Sequence, residues 1–595
     1  MSAIRVENES GLKLLASMQT LAANAWFAYG AVGLLQLKLF LNIWLYRDLT
    51  AGDTSYYFVY AYQWYSNLET NIAWSPLYNV FYGGLMHVWG DVYSVTLAHR
   101  VIIGIVASLL VLALLRRLLP SSIALLISAW WVILPVNYDM LYEVHLFALI
   151  PVLVVCLIAA IGSGRKMRGA VLGAWVITTA LVRNEFLITT VIWLAYCVIY
   201  ELWERRTHGA GRPKVYVSAY GIPLLIAALL IVLTYQLSTL KFPALSEELR
   251  TVKHGNNVCQ IYTYNYQQRF DDWRGSPWLE CDHLMQRVFG QSLPSMAQAI
   301  AANPQAMLDY FLWNLRLIPD GLQVLLFNAT SGDGQPDYIP VSTGATYAGI
   351  LGILLLGVVI TGVVMLWRNR LYWWNAWLNA RAWGWLALIA TVPTAVVVMV
   401  MQRPRPEYLY SFSVFTMAVT GMCLVILARK TSTQKIINAL TPFLLALLIV
   451  FVPLRYVESY HTPQSGLGRP LLRRYERLVP FRNVLDQPGL RLLAHGWGAE
   501  LCHYLSLTDC TAVEISTYAS LADDVAFADW LDSQEITVAY LDEYTLANAK
   551  VQEFVGSLDA SVWETISQEG SGDQQWMLLG MRTINERTSY DRRYF

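Results

Sequence analysis

The sequence predicts a mainly α-helical, polytopic membrane helix bundle that ends in a small α/β domain. Two observations predict this fold class. The 595 residues are 56% hydrophobic and only 14% charged, whereas soluble globular domains are about 25% charged. Apolar runs of bilayer-spanning length also recur along the chain, and a shorter, alternating pattern follows the last of them.

The apolar runs predict about eleven transmembrane helices, because a bilayer core takes about 20 helical residues to cross. Several runs are shorter and can tilt or pair within the membrane. The first lacks a small-residue cleavage site, which favours an uncleaved helix. The predicted spans are 22–46, 95–119, 121–136, 143–162, 169–183, 186–203, 215–238, 344–367, 382–401, 407–428 and 436–455.

Basic residues predict the orientation, because short cytoplasmic loops collect Lys and Arg. Alternate connections carry them, for example Arg116 with Arg117 and Arg429 with Lys430. These loops share one side if the N-terminus is cytoplasmic, and an odd number of spans then leaves the C-terminus extracytoplasmic. We therefore expect a multi-pass protein of the inner (plasma) membrane.

The seven cysteines agree with this orientation. Three lie inside apolar runs, where a thiol behaves as a small hydrophobe: Cys156, Cys197 and Cys423. The other four lie in segments predicted to be outside, where disulfides persist: Cys259, Cys281, Cys502 and Cys510. Pairing 259 with 281 and 502 with 510 is one of three possible connectivities, and four free thiols are the alternative.

The chain divides into a transmembrane domain, 1–457, and an extracytoplasmic α/β domain, 458–595. Within the first, residues 47–94 form an aromatic juxtamembrane platform and residues 240–343 a long outer loop. That loop holds an amphipathic stretch, Met296–Phe327. The C-terminal domain alternates four strand-like runs with three helix-like runs: strands at 492–494, 511–515, 536–541 and 576–581, and helices at 499–507, 521–531 and 546–555.

Ionisable side chains collect at the predicted outer ends of the helices. Such groups are costly in a bilayer, so they mark functional sites more often than elsewhere. Asp139 and Glu143 are four positions apart, so a helix would point both carboxylates the same way. The candidates are Asp53, Asp139, Glu143, His145, Arg183, Glu185, Arg403 and Arg405.

The first outer loop carries a more specific pattern. Ala-Gly-Asp-Thr-Ser-Tyr-Tyr (51–57) precedes Trp-Ser-Pro-Leu-Tyr (74–78) and a Gly-Gly pair (83–84). This pattern resembles the polyprenol-phosphate-dependent glycosyltransferases of the GT-C superfamily, in the group of ArnT and the protein mannosyltransferases. The Arg-Asn-Glu (183–185) and Arg-Pro-Arg-Pro-Glu-Tyr (403–408) segments at outer helix ends and the C-terminal domain extend the resemblance to the architecture.

The resemblance implies an inverting transfer of a sugar from a polyprenyl phosphate to a lipid, glycan or protein acceptor outside the cell. Asp53 is then the general base, Arg403 and Arg405 bind the phosphate through their guanidinium forks, and Arg183 is the reserve candidate for that role. Four further residues are implied to bind substrate: Glu185, Glu143, His145 and Tyr57. The alternatives are a helix N-cap for Asp53 and snorkelling to headgroups for the arginines.

A divalent cation is a further hypothesis. Asp53, Asp139, Glu143 and His145 would supply hard carboxylate oxygens and one imidazole, which suit Mn²⁺ or Mg²⁺. Ordinary polar capping of a helix end is the alternative.

Other function classes fit less well. With 42 basic and 42 acidic residues the formal net charge is zero, which argues against nucleic-acid partners. A transporter or flippase of lipid-linked sugars would place charges at the midplane and use inverted repeats, whereas these charges collect at one face. An O-antigen-ligase-like polymer transferase usually relies on one large, late outer loop.

Overall fold

A computed structural model describes most of the chain. It covers residues 20–41, 53–134, 143–208, 213–239, 243–373, 378, 381–430, 434–451, 470–515, 518 and 526–582, with short gaps at 22, 69–70, 72–74, 279, 337–341, 496–497, 508 and 571–574. The described chain forms two compact units. The first lies within Met1–Ile43, Asn67–Phe81 and His99–Tyr460, and the second within Trp44–Ser66, Tyr82–Ala98 and His461–Phe595.

The chain is a multi-pass membrane protein. Seven helices in the described residues are long and apolar enough to cross a bilayer: Val92–Leu118, Glu143–Ile161, Asn184–Thr207, Lys214–Tyr235, Thr346–Arg368, Ala382–Met401 and Pro406–Arg429. Shorter apolar helices lie at Ala25–Phe40, Ser121–Ile133 and Ile436–Val450, and a helix at Arg165–Leu181. Each predicted apolar run thus coincides with a helix, while the number of spans, eleven, stays a prediction.

The remaining helices are short or amphipathic. They are Asp53–Asn67, Pro76–Trp89, Pro243–Gln267, Cys281–Phe289, Met296–Ala302, Pro304–Arg316, Ile318–Phe327, Arg370–Trp373, Pro470–Leu478, Arg482–Leu485, Gly498–Tyr504, Phe527–Ser533, Glu543–Leu546 and Ala549–Gly556.

Small residues let the membrane helices of the first unit approach closely. Gly169 and Gly173 face the chain around Ala219 and Pro223, where a Cβ atom would collide with backbone. Such a Gly-x-x-x-Gly spacing is typical of helix contacts in membranes. Beside this contact Arg168 is bound by the carboxylates of the next helix, with 2.7 Å from Nη2 to Glu201 Oε1.

The first and the last apolar helices of this unit are joined by a lysine. Lys38 Nζ donates to the backbone carbonyl of Ile449 and, at 3.0 Å, to that of Val450. These carbonyls lie at the end of the helix Gln434–Phe451, where four carbonyls lack intrahelical donors. A cation at this end is also favoured by the helix dipole.

The second unit contains a five-stranded mixed sheet: β1 (Leu490–Ala494), β2 (Cys510–Glu514), β3 (Val538–Leu541), β4 (Trp563–Glu569) and β5 (Trp576–Met581). The strand order is β2-β1-β3-β5-β4. β1 pairs in parallel with β2 and β3, and β5 pairs antiparallel with β3 and β4. The sheet confirms the predicted α/β character of the C-terminal region.

The helix Asp53–Asn67 packs inside the second unit. The ring centroids of Phe58 and Tyr504 are 4.7 Å apart, and Tyr62 stacks on His503 at 4.2 Å. Two aromatic side chains of the segment predicted to be a juxtamembrane platform therefore contact the helix Gly498–Tyr504, which follows β1.

Both predicted disulfides are confirmed. Cys259 is bonded to Cys281 with 5.5 Å between the Cα atoms, and Cys502 to Cys510 with 5.7 Å. The cysteines of the apolar runs are free and buried: Cys156, Cys197 and Cys423.

Candidate functional site

The candidate residues of the first unit stand at helix ends. Glu143 begins the helix Glu143–Ile161, and Arg183 precedes the 3-10 turn Asn184–Phe186. Arg405 precedes the 3-10 turn Pro406–Leu409 and is extended, with φ −70° and ψ 136°. A proline disfavours the helical conformation of the residue before it, so Pro406 accounts for this conformation.

Three predicted site residues meet at Tyr408. The His145 ring stands edge-on to the Tyr408 ring at 4.6 Å. The guanidinium carbons of Arg183 and Arg405 lie 5.7 and 5.2 Å from the Tyr408 ring centroid. Arg183 Nη1 is also 3.5 Å from His145 Nε2. We call Arg183, His145, Arg405 and Tyr408, with Glu185 and Glu407, the Tyr408 cluster.

Each arginine of the Tyr408 cluster has a carboxylate partner. Arg183 Nε lies 2.8 Å from Glu185 Oε1, and Arg405 forms an ion pair with Glu407. The side chains of Arg405 and Glu407 are 4% and 0% exposed, while those of Arg183 and Glu185 are 17% and 28% exposed. The cluster therefore has a closed side at Arg405 and an accessible side at Arg183.

The charges of this region give it a positive balance. Arg183, Arg405 and Lys253 are electrostatic neighbours of His145. Against these three cations stand the two carboxylates that pair with the arginines, so the cluster with Lys253 carries one net positive charge. Guanidinium groups bind carboxylate and phosphate oxygens bidentately, which makes an oxyanion a ligand of matching chemistry.

Glu143 belongs to a neighbouring ion pair. It is bound to Arg100, and both side chains are 3% exposed. Glu143 and His145 are two positions apart on one helix and so project from nearly opposite sides. Tyr410 has Glu407, Glu143 and Arg100 as electrostatic neighbours, so this second pair lies beside the Tyr408 cluster.

Arg403 has a different environment from Arg405. Its side chain is buried, its guanidinium lies 4.5 Å from the Tyr264 ring centroid, and it donates to Gln268 Oε1 at 3.2 Å and to the carbonyl of Gln335. Its φ of 115° lies in the left-handed region, which is strained for a residue with a Cβ. The two arginines predicted to act together therefore contact different neighbours.

Asp53 and Tyr57 belong to the second unit. Asp53 is the first residue of the helix Asp53–Asn67 in the second unit, but its side chain lies outside the described residues, as does the whole of Asp139. Tyr57 is buried in that helix. No group of three or more His, Cys, Asp and Glu in the described part of the chain could hold a metal ion.

Four participants were given no role from the sequence: Tyr408, Glu407, Lys253 and Arg100. Tyr408 stands in the Arg-Pro-Arg-Pro-Glu-Tyr segment, where the arginines alone were given a role. Arg100 lies near the start of a long apolar helix, Val92–Leu118. A partner for Arg100 could have been predicted from the sequence, because an arginine in such an apolar helix is energetically costly unless a partner binds it.

No protein-family model and no curated protein matches the chain. Among solved structures, ArnT from Cupriavidus metallidurans bound to undecaprenyl phosphate matches over 94% of this chain and 99% of its own, at 11% identity and a TM-score of 0.38. The archaeal oligosaccharyltransferase AglB from Archaeoglobus fulgidus, with an inhibitory peptide and a dolichol-phosphate, matches over 88% and 70%, at 12% identity and a TM-score of 0.38. The Archaeoglobus enzyme complexed with Zn and sulfate matches at 11% identity and a TM-score of 0.39, over 88% of this chain and 69% of its own.

Proposed function

We propose that the chain is a membrane glycosyltransferase of the GT-C type, which moves a sugar from a polyprenyl-phosphate donor to an acceptor at the outer face of the membrane. The observation that carries the proposal is the convergence of Arg183 and Arg405 on Tyr408. Positive charge at the end of membrane helices, on the side predicted to be outside, suits a phosphate whose lipid chain remains in the bilayer.

In the proposed reaction the Tyr408 cluster binds the donor phosphate. The acceptor's nucleophilic atom forms a bond to the anomeric carbon, and the bond from that carbon to the phosphate oxygen breaks. The bonding electrons leave with the lipid phosphate, which gains negative charge. Arg183, on the accessible side, is the proposed fork for this phosphate, and Arg405 supports it from the closed side, so both stabilise the leaving group.

The acceptor's proton goes to Asp53 in this proposal. A carboxylate positioned as a general base contributes about 10² to 10⁴ in rate. Support for this role comes from the sequence pattern around residues 51–57 and from the place of Asp53 at a helix start. Asp53 and the Tyr408 cluster belong to different compact units, so each assignment is tested by itself.

The phosphate assignment is tested with protein reconstituted into vesicles and a panel of polyprenyl-phosphate sugars. We expect Arg183→Ala and Arg405→Ala to weaken donor binding at least tenfold, with partial recovery in Arg183→Lys, because lysine keeps the charge and loses the fork. The matched control is Arg274→Ala, since Arg274 is an exposed surface arginine. Donor affinity that stays at the wild-type value in both alanine variants would remove the phosphate from this cluster.

The base assignment is tested with Asp53→Asn, which keeps size and hydrogen bonding and loses the basic oxygen. We expect transfer to fall by about 10² to 10⁴, with donor affinity and melting temperature close to wild type. If Asp53 acted only as a helix cap, Asn would replace it without loss, because Asn caps a helix as well as Asp does. Near-normal turnover in Asp53→Asn would therefore contradict the catalytic role.

A further inference from the structure

The helix Pro304–Arg316, which we call the boundary helix, presents three distinct faces. Tyr310 and Asn314 lie on a fully buried face. Polar side chains make a second, exposed face: Gln305, Asp309 and Arg316. Between these two faces the helix exposes three leucines, Leu308, Leu312 and Leu315, at helical positions i, i+4 and i+7.

The buried face of the boundary helix is tied to the end of a membrane span. Tyr310 Oη donates to the carbonyl oxygen of Met401 at 2.7 Å, and Asn314 Nδ2 donates to that of Val400 at 2.7 Å. Met401 is the last residue of the span Ala382–Met401. Asn314 Oδ1 also accepts from Asn265 Nδ2 at 2.6 Å, so a second helix holds the same side chain.

These hydrogen bonds set the depth of the boundary helix. The terminal carbonyls of a membrane helix lack intrahelical donors and lie where the hydrocarbon core gives way to headgroups. A helix that supplies those donors from its side must lie at the same level. Its exposed leucines are therefore at the boundary of the bilayer.

The exposed leucines form an apolar surface that we expect a partner to cover. Leu308, Leu312 and Leu315 are 50%, 53% and 44% exposed, although they form one contiguous stripe. Interfacial helices combine such an apolar stripe with a polar face and lie in the plane of the membrane. The polar face of this helix carries Asp309 and Arg316, which would be costly if they entered the hydrocarbon.

We propose that the boundary helix lies flat in the membrane interface, with Leu308, Leu312 and Leu315 inserted among the upper acyl chains of the lipid. The lipid surface is continuous with the bilayer that surrounds the span Ala382–Met401. Two elements would then hold the start of the Gln402–Arg405 turn at headgroup depth: the span Ala382–Met401 and the boundary helix. That consequence for the turn rests on the proposed function, while the insertion itself does not.

The test uses the full-length protein with single cysteines introduced at Leu308, Leu312 or Leu315 and labelled with an environment-sensitive fluorophore. The matched controls are Gln305→Cys and Asp309→Cys on the polar face of the same helix. Each protein is reconstituted into phosphatidylethanolamine–phosphatidylglycerol vesicles that contain lipids with a nitroxide near the top of the acyl chain. We expect quenching by these lipids at the three leucine positions to exceed quenching at the controls by about twofold or more.

Other occupants give other outcomes. Equal quenching at leucine and control positions would overturn the proposal, since the stripe would then face water. Labels at the leucines that resist both aqueous iodide and nitroxide lipids would also overturn it, because protein would be covering the stripe. The measurement requires no catalysis, so a protein inactive on every donor can still support the insertion, and an active one can still contradict it.

Discussion

Individual buried charges in this protein are held by specific partners. In the second unit Arg474 and Asp542 are 4% and 2% exposed and lie 2.8 Å apart. Asp542 also accepts from the backbone nitrogen of Thr545 at 3.0 Å, which caps the helix Glu543–Leu546. Removing one member of such a pair leaves the other charge buried without its counter-ion, which is usually strongly destabilising.

His503 is a residue whose environment predicts a pH effect. Burial lowers its pKa to about 4, while the ring stacks on Tyr62 at 4.2 Å. The unfolded chain binds a proton near the ordinary histidine pKa of about 6.5, so acid favours the unfolded state between these two values. Stability associated with neutral His503 is therefore present above about pH 6.5 and lost as the pH falls towards 4.

We expect His503→Phe to reduce the loss of stability between about pH 7.5 and about pH 5 by roughly 1 to 2 kcal/mol. Phenylalanine keeps the aromatic stack and does not titrate. The measurement is the melting temperature of the detergent-solubilised protein at the two pH values and one scan rate. Burial also raises the pKa of Glu500, and this opposing contribution is common to both proteins and cancels in the comparison.

Tyr62→Phe is the matched control for His503→Phe. It keeps the ring against His503, and burial raises the pKa of the Tyr62 hydroxyl, so that group does not titrate in this range. We expect its pH dependence to equal the wild type. A wild-type slope in His503→Phe as well would assign the acid sensitivity to another group.

The sequence predicted which residues are chemically unusual better than it predicted their contacts. Arg183, His145 and Arg405 were selected because charges are costly at membrane helices, and they meet around one tyrosine, while Glu185 pairs with Arg183. Arg403 was selected by the same argument, yet its side chain contacts Tyr264. Side-chain direction depends on local backbone conformation, and a φ of 115° at Arg403 is not predictable from periodicity.

At the scale of elements, close helix contacts depend on single glycines. A Cβ atom at Gly169 would collide with the backbone carbonyl of Ala219, and one at Gly173 with that of Pro223. Backbone cannot move aside as a flexible side chain can. The contact of the helix Arg165–Leu181 with the π-helical turn Val217–Gly221 and the helix Ile222–Thr239 that follows it therefore requires these two glycines.

We expect Gly169→Ala to destabilise the protein by about 1 to 3 kcal/mol, the usual cost of overpacking. The matched control is Gly357→Ala in the membrane helix Thr346–Arg368, because nothing lies within 4 Å of a Cβ added there. That variant should be neutral or more stable by about 0.5 to 1 kcal/mol, since alanine favours helix over glycine. The measurement is the unfolding midpoint in mixed micelles with rising SDS. Equal midpoints for the two variants would contradict the close contact.

In the C-terminal region, the sequence predicted the strands that are apolar and not the one that is mostly exposed. The run 576–581 coincides with β5, and the runs at 492–494, 511–515 and 536–541 overlap β1, β2 and β3. The strand β4, Trp563–Glu569, was not predicted. This strand is at the edge of the sheet and mostly exposed, so it lacks the apolar character by which the others were recognised.

At the scale of the whole molecule, the compact units do not follow the order of the chain. The sequence predicts a C-terminal domain that begins at 458, and the second unit also takes in residues of 44–66 and 82–98. Aromatic contacts such as the stack of Tyr93 on Tyr475, at 4.2 Å between centroids, join these distant segments. Amino-acid composition predicts that each segment is interfacial or polar, but it does not predict which of these segments pack together.

The hydrogen bond between Lys38 and Val450 spans 412 residues, and this separation has a consequence for synthesis. A ribosome that adds about 5 to 20 residues per second needs roughly 20 to 80 s to make the intervening chain. Lys38 thus leaves the ribosome long before the carbonyls that it binds exist, and its ammonium group must be hydrated or bound to headgroups until then. The helix Ala25–Phe40 therefore gains the hydrogen bonds of its Lys38 side chain only after the helix Gln434–Phe451 has been made.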